Sequence, residues 1–383
     1  MKFYLFHLMP WKYVPHDFEE HYGSAWVTIP NTLYDPEVGN RVYNEYLHEM
    51  VYAEELGFDG VCVNEHHQNA YGNMPSPNII AAILAGRTKN VDIAIIGNAL
   101  PLRNHPLRVA EEVAMLDVIT GGRIISGFVR GIGAEYHTFG INPNESRDRF
   151  MEAHDLIVES WTREGPFSFE GKYYNTQYVN IWPRVYQRPH PPIWIPSQGS
   201  GETIEWASGK RYTYLQTYSS YASVKKYLLQ YQETAKEQWG YTASPGQLGW
   251  AMPIYVAETD EQAMEEAREP MEFLFKLLYM SKELLFPPGY LTEKSEQAVL
   301  SAKKGHTTGG SLTIERLVSD GYVLVGSPKT VAERLCQYQS ETNLGVFVTM
   351  LQFATLSHEL TLTNMKLFAD KVMPEVKRVC GDS

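Results

Sequence analysis

The side chains best suited to chemistry lie in one short run, Asn64–Gln68, which contains Glu65, His66 and His67. The run directly follows an apolar segment that is predicted to be a strand, and a histidine in that position can exchange a proton near neutral pH. Two other interpretations stay open from the residues alone, because Glu and His bind metals and a histidine pair can also cap a strand. Adjacent histidines normally point in different directions, and no His-x-His follows the first predicted strand, so a metal site is disfavoured.

Two arginines after the fourth predicted strand suit a phosphate group. Arg130 precedes Gly131 in a glycine-rich turn, and its guanidinium can bind a phosphate through two hydrogen bonds. Arg147 opens the following predicted helix, where a cation opposes the helix dipole and needs an anionic partner or a solvated position. A phosphate would satisfy Arg147, and so would an ion pair with Glu145 or Asp148.

Two further turns at strand ends could contact a flat, phosphorylated ligand. Gly199 and Ser200 come directly before a predicted helix, and the free backbone N–H groups of a helix N-terminus bind anions. Alternatively, Ser200 simply caps that helix. Gly97 lies in the segment Ile96–Asn98 at the end of the third predicted strand, where a glycine would let a ring approach the backbone closely. A plain bulge is the alternative for Gly97.

The elements that position these residues alternate between a short apolar strand and a longer amphipathic helix, which is the pattern of a parallel α/β fold. Eight such units favour a closed (β/α)8 TIM barrel with insertions over an open doubly wound sheet. In such a barrel the active site lies at the C-terminal ends of the strands, where all the candidate residues meet. The predicted strands, each with the helix behind it, are Lys2–Leu8 with Tyr43–Leu56, Asp59–Asn64 with Pro77–Arg87, Asp92–Gly97 with Leu107–Ile119, Arg123–Phe128 with Arg147–Thr162, Ile193–Pro196 with Glu202–Ser208, Tyr212–Thr217 with Ser223–Trp239, Gln247–Val256 with Glu261–Met280, and Gly345–Leu351 with His358–Val372.

Two insertions interrupt this pattern within what is predicted to be a single domain, residues 1–383. Phe167–Val185 has the pattern of a hairpin, and Pro287–Leu317 is an irregular stretch rich in proline and glycine. A long irregular segment in a compact domain is typically a mobile lid over an active site or a surface insertion. Both interpretations of Pro287–Leu317 stay open.

Charge and cysteine content exclude several classes of function. The chain has 383 residues and a net charge of −12 without a basic run, so nucleic acids and anionic membranes are poor partners. Cys62, Cys336 and Cys380 form no CxxC or other metal-spaced pair and give no disulfide framework. Three cysteines suit a reducing cytosol, and the sequence lacks an apolar run of about 18 residues, so a cytoplasmic protein is expected.

These motifs resemble those of the luciferase-like flavin monooxygenases, the family of bacterial luciferase. The resemblance implies a luciferase-like barrel. The similar segments follow the family's order along nearly the whole chain: Glu65–His67, Gly97–Pro101, Arg108–Asp117, Gly121–Arg123, Gly127–Gly131, Phe139–Arg147, Glu202–Trp206, Val325–Pro328 and Met365–Pro374.

The resemblance also implies a role for each candidate residue. His66 takes the place of the catalytic histidine beside the flavin, and His67 is its usual neighbour in the catalytic pair. Val129 departs from the pattern, because light-emitting luciferases have a cysteine there, so nothing supports bioluminescence. The implied FMN-binding residues are Arg130, Arg147, Gly199 and Ser200 at the phosphate, and Ile96, Gly97 and Asn98 at a non-prolyl cis peptide bond behind the isoalloxazine ring.

The activity that the resemblance implies is that of a two-component monooxygenase. A separate flavin reductase would supply reduced FMN, which would react with O2 to give a peroxyflavin that oxygenates a small organic substrate. Family members commonly dimerise through helices beside the early strands, so a homodimer is expected.

The loop Met9–Tyr43 is expected to wall the substrate pocket with its aromatic residues Trp11, Tyr13, Trp26 and Tyr34.

Three other functions stay open from the sequence. Relatives of the same fold use a deazaflavin coenzyme for hydride transfer without O2. A metal-dependent barrel hydrolase is a second alternative, and bound zinc would favour it. A non-catalytic flavin-binding subunit is the third, and the retention of Glu65, His66 and His67 argues against it.

Overall fold

Parallel strands form a closed barrel in the computed structural model, which describes residues 1–290 and 312–381. In chain order the described strands are β1 (Lys2–Phe6), β2 (Gly60–Val63), β3 (Asp92–Ala99), β4 (Ile124–Val129), β5 (Phe167–Glu170), β6 (Asn175–Val179), β7 (Ile193–Ser197), β8 (Thr213–Thr217), β9 (Leu248–Val256), β10 (Leu324–Gly326) and β11 (Val346–Met350).

Eight of these strands make the ring, in the order β1, β2, β3, β4, β7, β8, β9 and β11. The ring closes because β9 pairs with both β8 and β11, and β11 pairs with β1. The antiparallel hairpin β5–β6 lies outside the ring, and β10 adds to β9. The predicted (β/α)8 barrel is therefore confirmed, with a hairpin within the predicted insertion Phe167–Val185.

Helices cover the outside of the barrel. Several begin with a cap and a proline at the first position, as at Asp35, which accepts a hydrogen bond of 2.8 Å from the N–H of Glu37. None of the described helices is both long and apolar enough to cross a membrane. The described helices are α1 (Phe18–Tyr22), α2 (Pro36–Glu55), α3 (Pro77–Arg87), α4 (Pro106–Thr120), α5 (Gly133–Phe139), α6 (Ser146–Thr162), α7 (Gly201–Gly209), α8 (Tyr221–Glu237), α9 (Asp260–Leu277), α10 (Lys282–Leu285), α11 (Ile314–Ser319), α12 (Pro328–Thr342), α13 (His358–Leu367) and α14 (Met373–Cys380), with a π-helical turn at Phe368–Val372.

Alternation along the strands divides the core into two layers. Side chains such as Phe6, Cys62 and Leu215 belong to the cluster inside the barrel. Leu5 and Val61 belong to the cluster that packs against the helices. Because the interior is filled by apolar side chains, polar groups that act on a ligand must lie at the ends of the strands.

The sequence and the structure differ in the last third of the chain. The sequence predicts one helix, Glu261–Met280, between the last two barrel strands, whereas the described structure there contains α9, α10, α11, β10 and α12. The prediction omits α12, although two signals mark it in the sequence. Ser327 caps the helix, and its apolar residues are regularly spaced. The predicted closing helix His358–Val372 is interrupted by the π-helical turn and continues as α14. α2 begins at Pro36 instead of Tyr43 because of its cap.

The predicted lid, Pro287–Leu317, is described only at its two ends, since residues 291–311 lie outside the described residues. At one end the hydroxyl of Tyr290 donates a hydrogen bond of 2.7 Å to the carbonyl of Gly131. At the other end the N–H of Ile314 donates to Glu272 of α9 at 2.9 Å. The role of this segment as a lid stays a prediction.

Candidate functional site

His66, which follows β2, is held by a buried carboxylate. Its Nδ1 lies 3.1 Å from Oε1 of Glu135, a residue of α5. Glu135 is fully buried and also accepts hydrogen bonds from the N–H groups of Ile132, at 2.8 Å, and His67, at 3.3 Å. A carboxylate beside Nδ1 keeps the proton on that nitrogen. Nε2 is therefore the nitrogen of His66 that can exchange a proton with a bound molecule.

Glu135 is a site residue that the sequence interpretation missed. It is the third residue of α5, a helix absent from the predicted elements, and its carboxylate bonds back to the N–H of Ile132, which precedes that helix. This is the glutamate position of a capping box. A glutamate three residues beyond the turn Arg130–Ile132 is the sequence signal that could have found it.

His67 belongs to a different hydrogen-bonded network. Its Nε2 lies 2.8 Å from Oε1 of Glu65, and the other carboxylate oxygen of Glu65 accepts a hydrogen bond of 2.6 Å from Arg103. Arg103 also donates to Oδ1 of Asn98 at 3.2 Å. His67 is thus tied to the ends of β2 and β3, which fixes the backbone on both sides of His66.

The geometry of the two histidines does not favour a metal site. His66 and His67 are bonded to different carboxylates, Glu135 and Glu65, and so do not converge on a common point. Across residues 1–290 and 312–381 there is no group of three His, Cys, Asp or Glu side chains arranged as metal ligands. Each histidine is instead bonded to its own carboxylate.

Aromatic rings surround His66 at the mouth of the barrel. Its ring lies 5.2 Å from that of Trp26 and 5.5 Å from that of Tyr71. The Tyr71 hydroxyl is hydrogen-bonded to that of Tyr218, which follows β8 on the opposite side of the ring of strands. Burial raises the pKa of both tyrosines, so both stay neutral. The surroundings of His66 are therefore largely apolar and span the mouth.

Only one aromatic residue of the loop 9–43 contacts His66. Trp26 does so, and its indole N–H donates a hydrogen bond of 2.9 Å to the carbonyl of Leu277. Trp11 packs instead against Tyr34, with ring centroids 4.4 Å apart, and against Tyr13, at 5.2 Å. The structure thus joins Trp26 to the mouth and places the other three rings in a separate cluster.

The two candidate arginines lie close together, and one of them reaches the start of α7. Arg147 is bonded to Glu202 in the first turn of α7, and Arg130 donates to the hydroxyl of Ser146, next to Arg147, at 3.4 Å. Burial and the charge of Arg130 lower the pKa of Arg147. We call Arg130, Arg147 and the N-terminus of α7 the cationic corner, because the two guanidinium groups lie close enough to repel each other and, among the described residues, only Arg147 is bonded to a carboxylate there.

The alternative ion pairs of Arg147, with Glu145 or Asp148, do not form. Glu145 pairs with Arg149, at 2.9 Å, and Asp148 pairs with Lys172, at 3.4 Å. The partner of Arg147 is Glu202, which lies 55 positions along the chain. Sequence spacing points to neighbours within one helix, and this contact depends on how α6 and α7 pack around the barrel.

Gly199 and Ser200 shape the N-terminus of α7. Ser200 is the N-cap residue, but its side chain makes no capping hydrogen bond, so the first N–H groups of the helix are not capped by it. Gly199 has a φ of +102°, and a Cβ there would lie 2.1 Å from the ring of Tyr227. Glycine is therefore required for this turn, which presents backbone N–H groups as an anion site would.

The end of β3 contains the expected unusual peptide bond. A cis peptide bond joins Ile96 and Gly97. A Cβ on Gly97 would lie 2.8 Å from the carbonyl carbon and oxygen of Gly127 in β4. The approach of two strands therefore explains this glycine, and the close approach of a ring is not needed to account for it.

Two buried polar atoms without partners lie just after β2 and near the end of β3. Asn64 Oδ1 and Asn98 Nδ2 have no hydrogen-bond partner among the described residues, although the two side chains are only 6% and 0% exposed. An unpaired buried polar group costs about 1–3 kcal/mol. Asn64 Oδ1 can accept a hydrogen bond and Asn98 Nδ2 can donate one. These atoms would suit a ligand that has both an N–H group and an acceptor, such as a nitrogen-containing ring with carbonyl groups.

Curated relatives match part of the chain. An uncharacterized protein of Sinorhizobium fredii, y4wF, is 36% identical over 176 residues, which is 45% of this chain and 51% of that protein. An alkanal monooxygenase alpha chain of Photorhabdus luminescens is 32% identical over 157 residues, 41% of this chain and 42% of that protein. The chain thus spans about half the length of the curated relatives that it matches.

Solved structures match nearly the whole chain. The monooxygenase RslO1 from Streptomyces bottropensis is 26% identical, with a TM-score of 0.73 over 98% of this chain and 99% of that one. The oxygenating constituent of 3,6-diketocamphane monooxygenase from Pseudomonas putida, in complex with FMN, is 22% identical, with a TM-score of 0.71 over 88% and 94%. An F420-dependent secondary alcohol dehydrogenase is 16% identical, with a TM-score of 0.67 over 98% of each chain. The last two likenesses bear on the fold alone.

The family model of the luciferase-like monooxygenases matches residues 26–342. That range includes His66, Glu135 and the whole cationic corner. The barrel, the order of the motifs and this match agree, and the chain belongs to the luciferase-like monooxygenase family.

Proposed function

We propose that the chain is the oxygenating component of an FMN-dependent, two-component monooxygenase. In this proposal a separate flavin reductase supplies reduced FMN, and one atom of O2 enters a small organic substrate. The observation that carries the proposal is that one barrel mouth contains both the His66–Glu135 pair and the cationic corner. Bound reduced FMN would supply the electrons that activate O2.

The cationic corner is the proposed site of the FMN phosphate. Arg147 is paired with Glu202, whereas Arg130 forms no ion pair with a carboxylate among the described residues, and a phosphate would offset its charge. The hydroxyl of Ser200 and the uncapped N–H groups at the start of α7 would add hydrogen bonds. The turn at Gly199 keeps those N–H groups accessible.

The ring of FMN would then lie toward the ends of β2 and β3. Ile96 and Gly97 would form its backbone support, and the unpaired amide of Asn98 would donate to a ring carbonyl or nitrogen. The unpaired Oδ1 of Asn64 would accept from a ring N–H. These two contacts would satisfy polar atoms that the protein itself leaves unpaired, which is the physical reason for this placement.

His66 is the proposed catalytic residue, and His67 is proposed to act through it. With its proton held on Nδ1 by Glu135, His66 would exchange a proton at Nε2 with the substrate or with the reacting oxygen. The N–H of His67 bonds to the same carboxylate, and its ring is fixed by Glu65. His67 therefore orients the pair and is a positioning residue in this scheme.

The aromatic rings around His66 are the proposed contact surface for the substrate. Tyr71 and Tyr218 stay neutral, and together with Trp26 they would exclude water from His66, which would suppress the loss of oxygen as hydrogen peroxide. A small organic substrate with an apolar or aromatic part would suit this surface better than a charged one.

The experiment that tests the proposal compares two reduced coenzymes. Anaerobic titrations of the protein with reduced FMN and with reduced deazaflavin, followed by fluorescence, should give tighter binding of reduced FMN. The Arg147→Ala variant should weaken that binding, and Arg149→Ala, which changes a neighbouring arginine bonded to Glu145, should not. Tighter binding of the deazaflavin would instead favour hydride transfer without O2.

A homodimer is also proposed, through the outer face of α3 and α4. Ile79, Met115 and Ile119 are large apolar side chains that are 61%, 49% and 62% exposed on these two helices. Exposed apolar groups of this size on adjacent helices mark a protein contact surface. Ile119→Glu should convert a dimer into a monomer in sedimentation velocity, whereas Leu229→Glu on α8 should not. A monomeric wild-type protein would contradict this proposal.

A further inference from the structure

A pair of thiols lies on the outside of the barrel. Cys336 is part of α12 and Cys380 is the last residue of α14, and their Sγ atoms are 2.6 Å apart. Both side chains are partly exposed, whereas Cys62 is fully buried inside the barrel. Two sulfur atoms in direct contact on partly exposed side chains are placed to form a disulfide.

The thiol pair is remote from the candidate site. In α14, Nζ of Lys377 lies 3.7 Å from Asp59, the residue that precedes β2. α14 therefore lies beside the N-terminal ends of the strands, and His66 lies beyond the C-terminal end of the same strand β2. A change at the thiol pair would therefore act first on the packing of α14, at the opposite end of β2 from His66.

We propose that Cys336 and Cys380 are a redox modification site, which hydrogen peroxide converts into a reversible disulfide. Hydrogen peroxide is the by-product of reduced flavin oxidised by O2 without substrate, so this protein would meet its oxidant if the proposed function holds. The modification itself requires only the two thiols and peroxide. It can therefore be tested without any flavin.

The chemistry balances with one peroxide per pair of thiols. The Cys380 thiolate attacks one peroxide oxygen, an S–O bond forms as the O–O bond breaks, and the leaving hydroxide takes up a proton to become water. The Cys336 sulfur then attacks the Cys380 sulfur, the S–S bond forms as the S–O bond breaks, and a second water leaves with the Cys336 proton. The thiols lose two electrons and peroxide gains them.

The surroundings of the two sulfurs assign these roles. Burial and the contact with Cys380 raise the pKa of Cys336 to about 12, which keeps Cys336 a thiol at neutral pH. The thiolate is the nucleophile in such reactions, so the raised pKa of Cys336 supports the later, resolving step for that cysteine. The disulfide closes a loop between positions 44 residues apart and holds α14 against α12.

The first experiment maps the cysteines of the full-length protein. Samples treated with hydrogen peroxide or with a reductant are alkylated, digested with trypsin and measured by mass spectrometry. We expect the peptides of Cys336 and Cys380 to be linked after peroxide and free after reductant, with Cys62 a free thiol in both samples. Separate alkylation of Cys336 and Cys380 after peroxide would overturn the proposal.

The second experiment uses the Cys336→Ser variant, which retains the size of the side chain. In this variant dimedone should trap the Cys380 sulfenic acid that the wild-type protein does not accumulate. Peroxide should raise the Tm of the wild-type protein by roughly 5 °C and leave the Tm of Cys336→Ser unchanged. An equal shift in both proteins would overturn the proposal. Neither assay contains flavin, so failure here leaves the proposed function untouched.

Discussion

At the scale of single residues, the arrangement of the barrel mouth is set by the hydrogen-bond partner of each polar side chain. His66 and His67 are adjacent in sequence, yet one contacts Glu135 and the other Glu65. The types of these residues and their place after β2 could be predicted from the sequence. Their partners could not, because Glu135 lies 69 positions from His66 and reaches it only through the turn before α5.

The Glu135→Gln variant tests the role of that carboxylate. An amide of the same size cannot hold the Nδ1 proton as a carboxylate does, so His66 loses its fixed tautomer. After the complex with reduced FMN is mixed with O2, oxidised FMN should appear about tenfold faster in the variant than in the wild-type protein. Affinity for FMN should be unchanged. Glu111→Gln, a change at a partly exposed position on α4, is the control, and equal rates in all three proteins would contradict the assignment.

At the scale of elements, the cationic corner depends on the packing of α6 beside α7. Arg147 begins one helix and Glu202 the other, and sequence spacing alone suggests the wrong partners for Arg147. The strand ends, by contrast, could be predicted, because alternating apolar residues mark each strand. α12 is absent from the predicted elements because it follows a long irregular stretch. Its signals are nevertheless present in the sequence: a cap at Ser327 and regularly spaced apolar residues up to Tyr338.

Removal of Arg147 measures what the corner contributes to FMN binding. Charge-assisted hydrogen bonds contribute about 1.5–3 kcal/mol, so Arg147→Ala should raise the Kd for reduced FMN by roughly 10- to 100-fold. Glu202→Gln should not weaken binding, because it removes the carboxylate that competes with the phosphate. An unchanged Kd for Arg147→Ala in anaerobic titration would contradict the phosphate assignment.

The turn at Gly199 offers a second test at this scale. In Gly199→Ala the new Cβ would meet the ring of Tyr227 at a backbone φ of +102°, so unfolding free energy should fall by about 1–3 kcal/mol. Gly240→Ala is the matched control, because Gly240 also has a positive φ, +69°, but a Cβ there would have no atom within 4 Å. It should lower the unfolding free energy by less, about 1 kcal/mol. Urea denaturation measures both, and a larger loss for Gly240→Ala would refute this account of the turn.

At the scale of the whole molecule, a buried cluster joins the first and last units of the barrel. Glu49 of α2 lies between His7, at 2.7 Å, and His358 of α13, at 2.6 Å. Burial alone would raise the pKa of Glu49, but hydrogen bonds with His358 and His7 outweigh burial and lower it. The hydrogen bond with Glu49 raises the pKa of His358. The barrel pattern could be predicted from the sequence, whereas this contact could not, since it depends on closure.

This cluster predicts how stability depends on pH. The pKa of Glu49 is lowered on folding, so Glu49 stabilises the fold above its unfolded-state pKa of roughly 4.3. This stabilisation is lost as the pH falls through its folded-state pKa. The pKa of His358 is raised on folding, so His358 stabilises the fold fully below roughly pH 6.5. This stabilisation is lost as the pH rises through its folded-state pKa. The difference in unfolding free energy between wild type and His358→Gln should therefore be largest near pH 5–6. Exposed His21→Gln is the control, and a difference independent of pH would contradict the coupling.

The most direct test of the proposed function is stopped-flow absorbance after the anaerobic complex of the protein with reduced FMN is mixed with O2. A protected site should delay the appearance of oxidised FMN and give a separate near-ultraviolet absorbing species before it. Substrates could then be identified by how they shorten that delay. Immediate oxidation at the rate of free reduced FMN would contradict the account, because the barrel mouth would then not hold reduced FMN where His66 and the aromatic rings can act on the reaction.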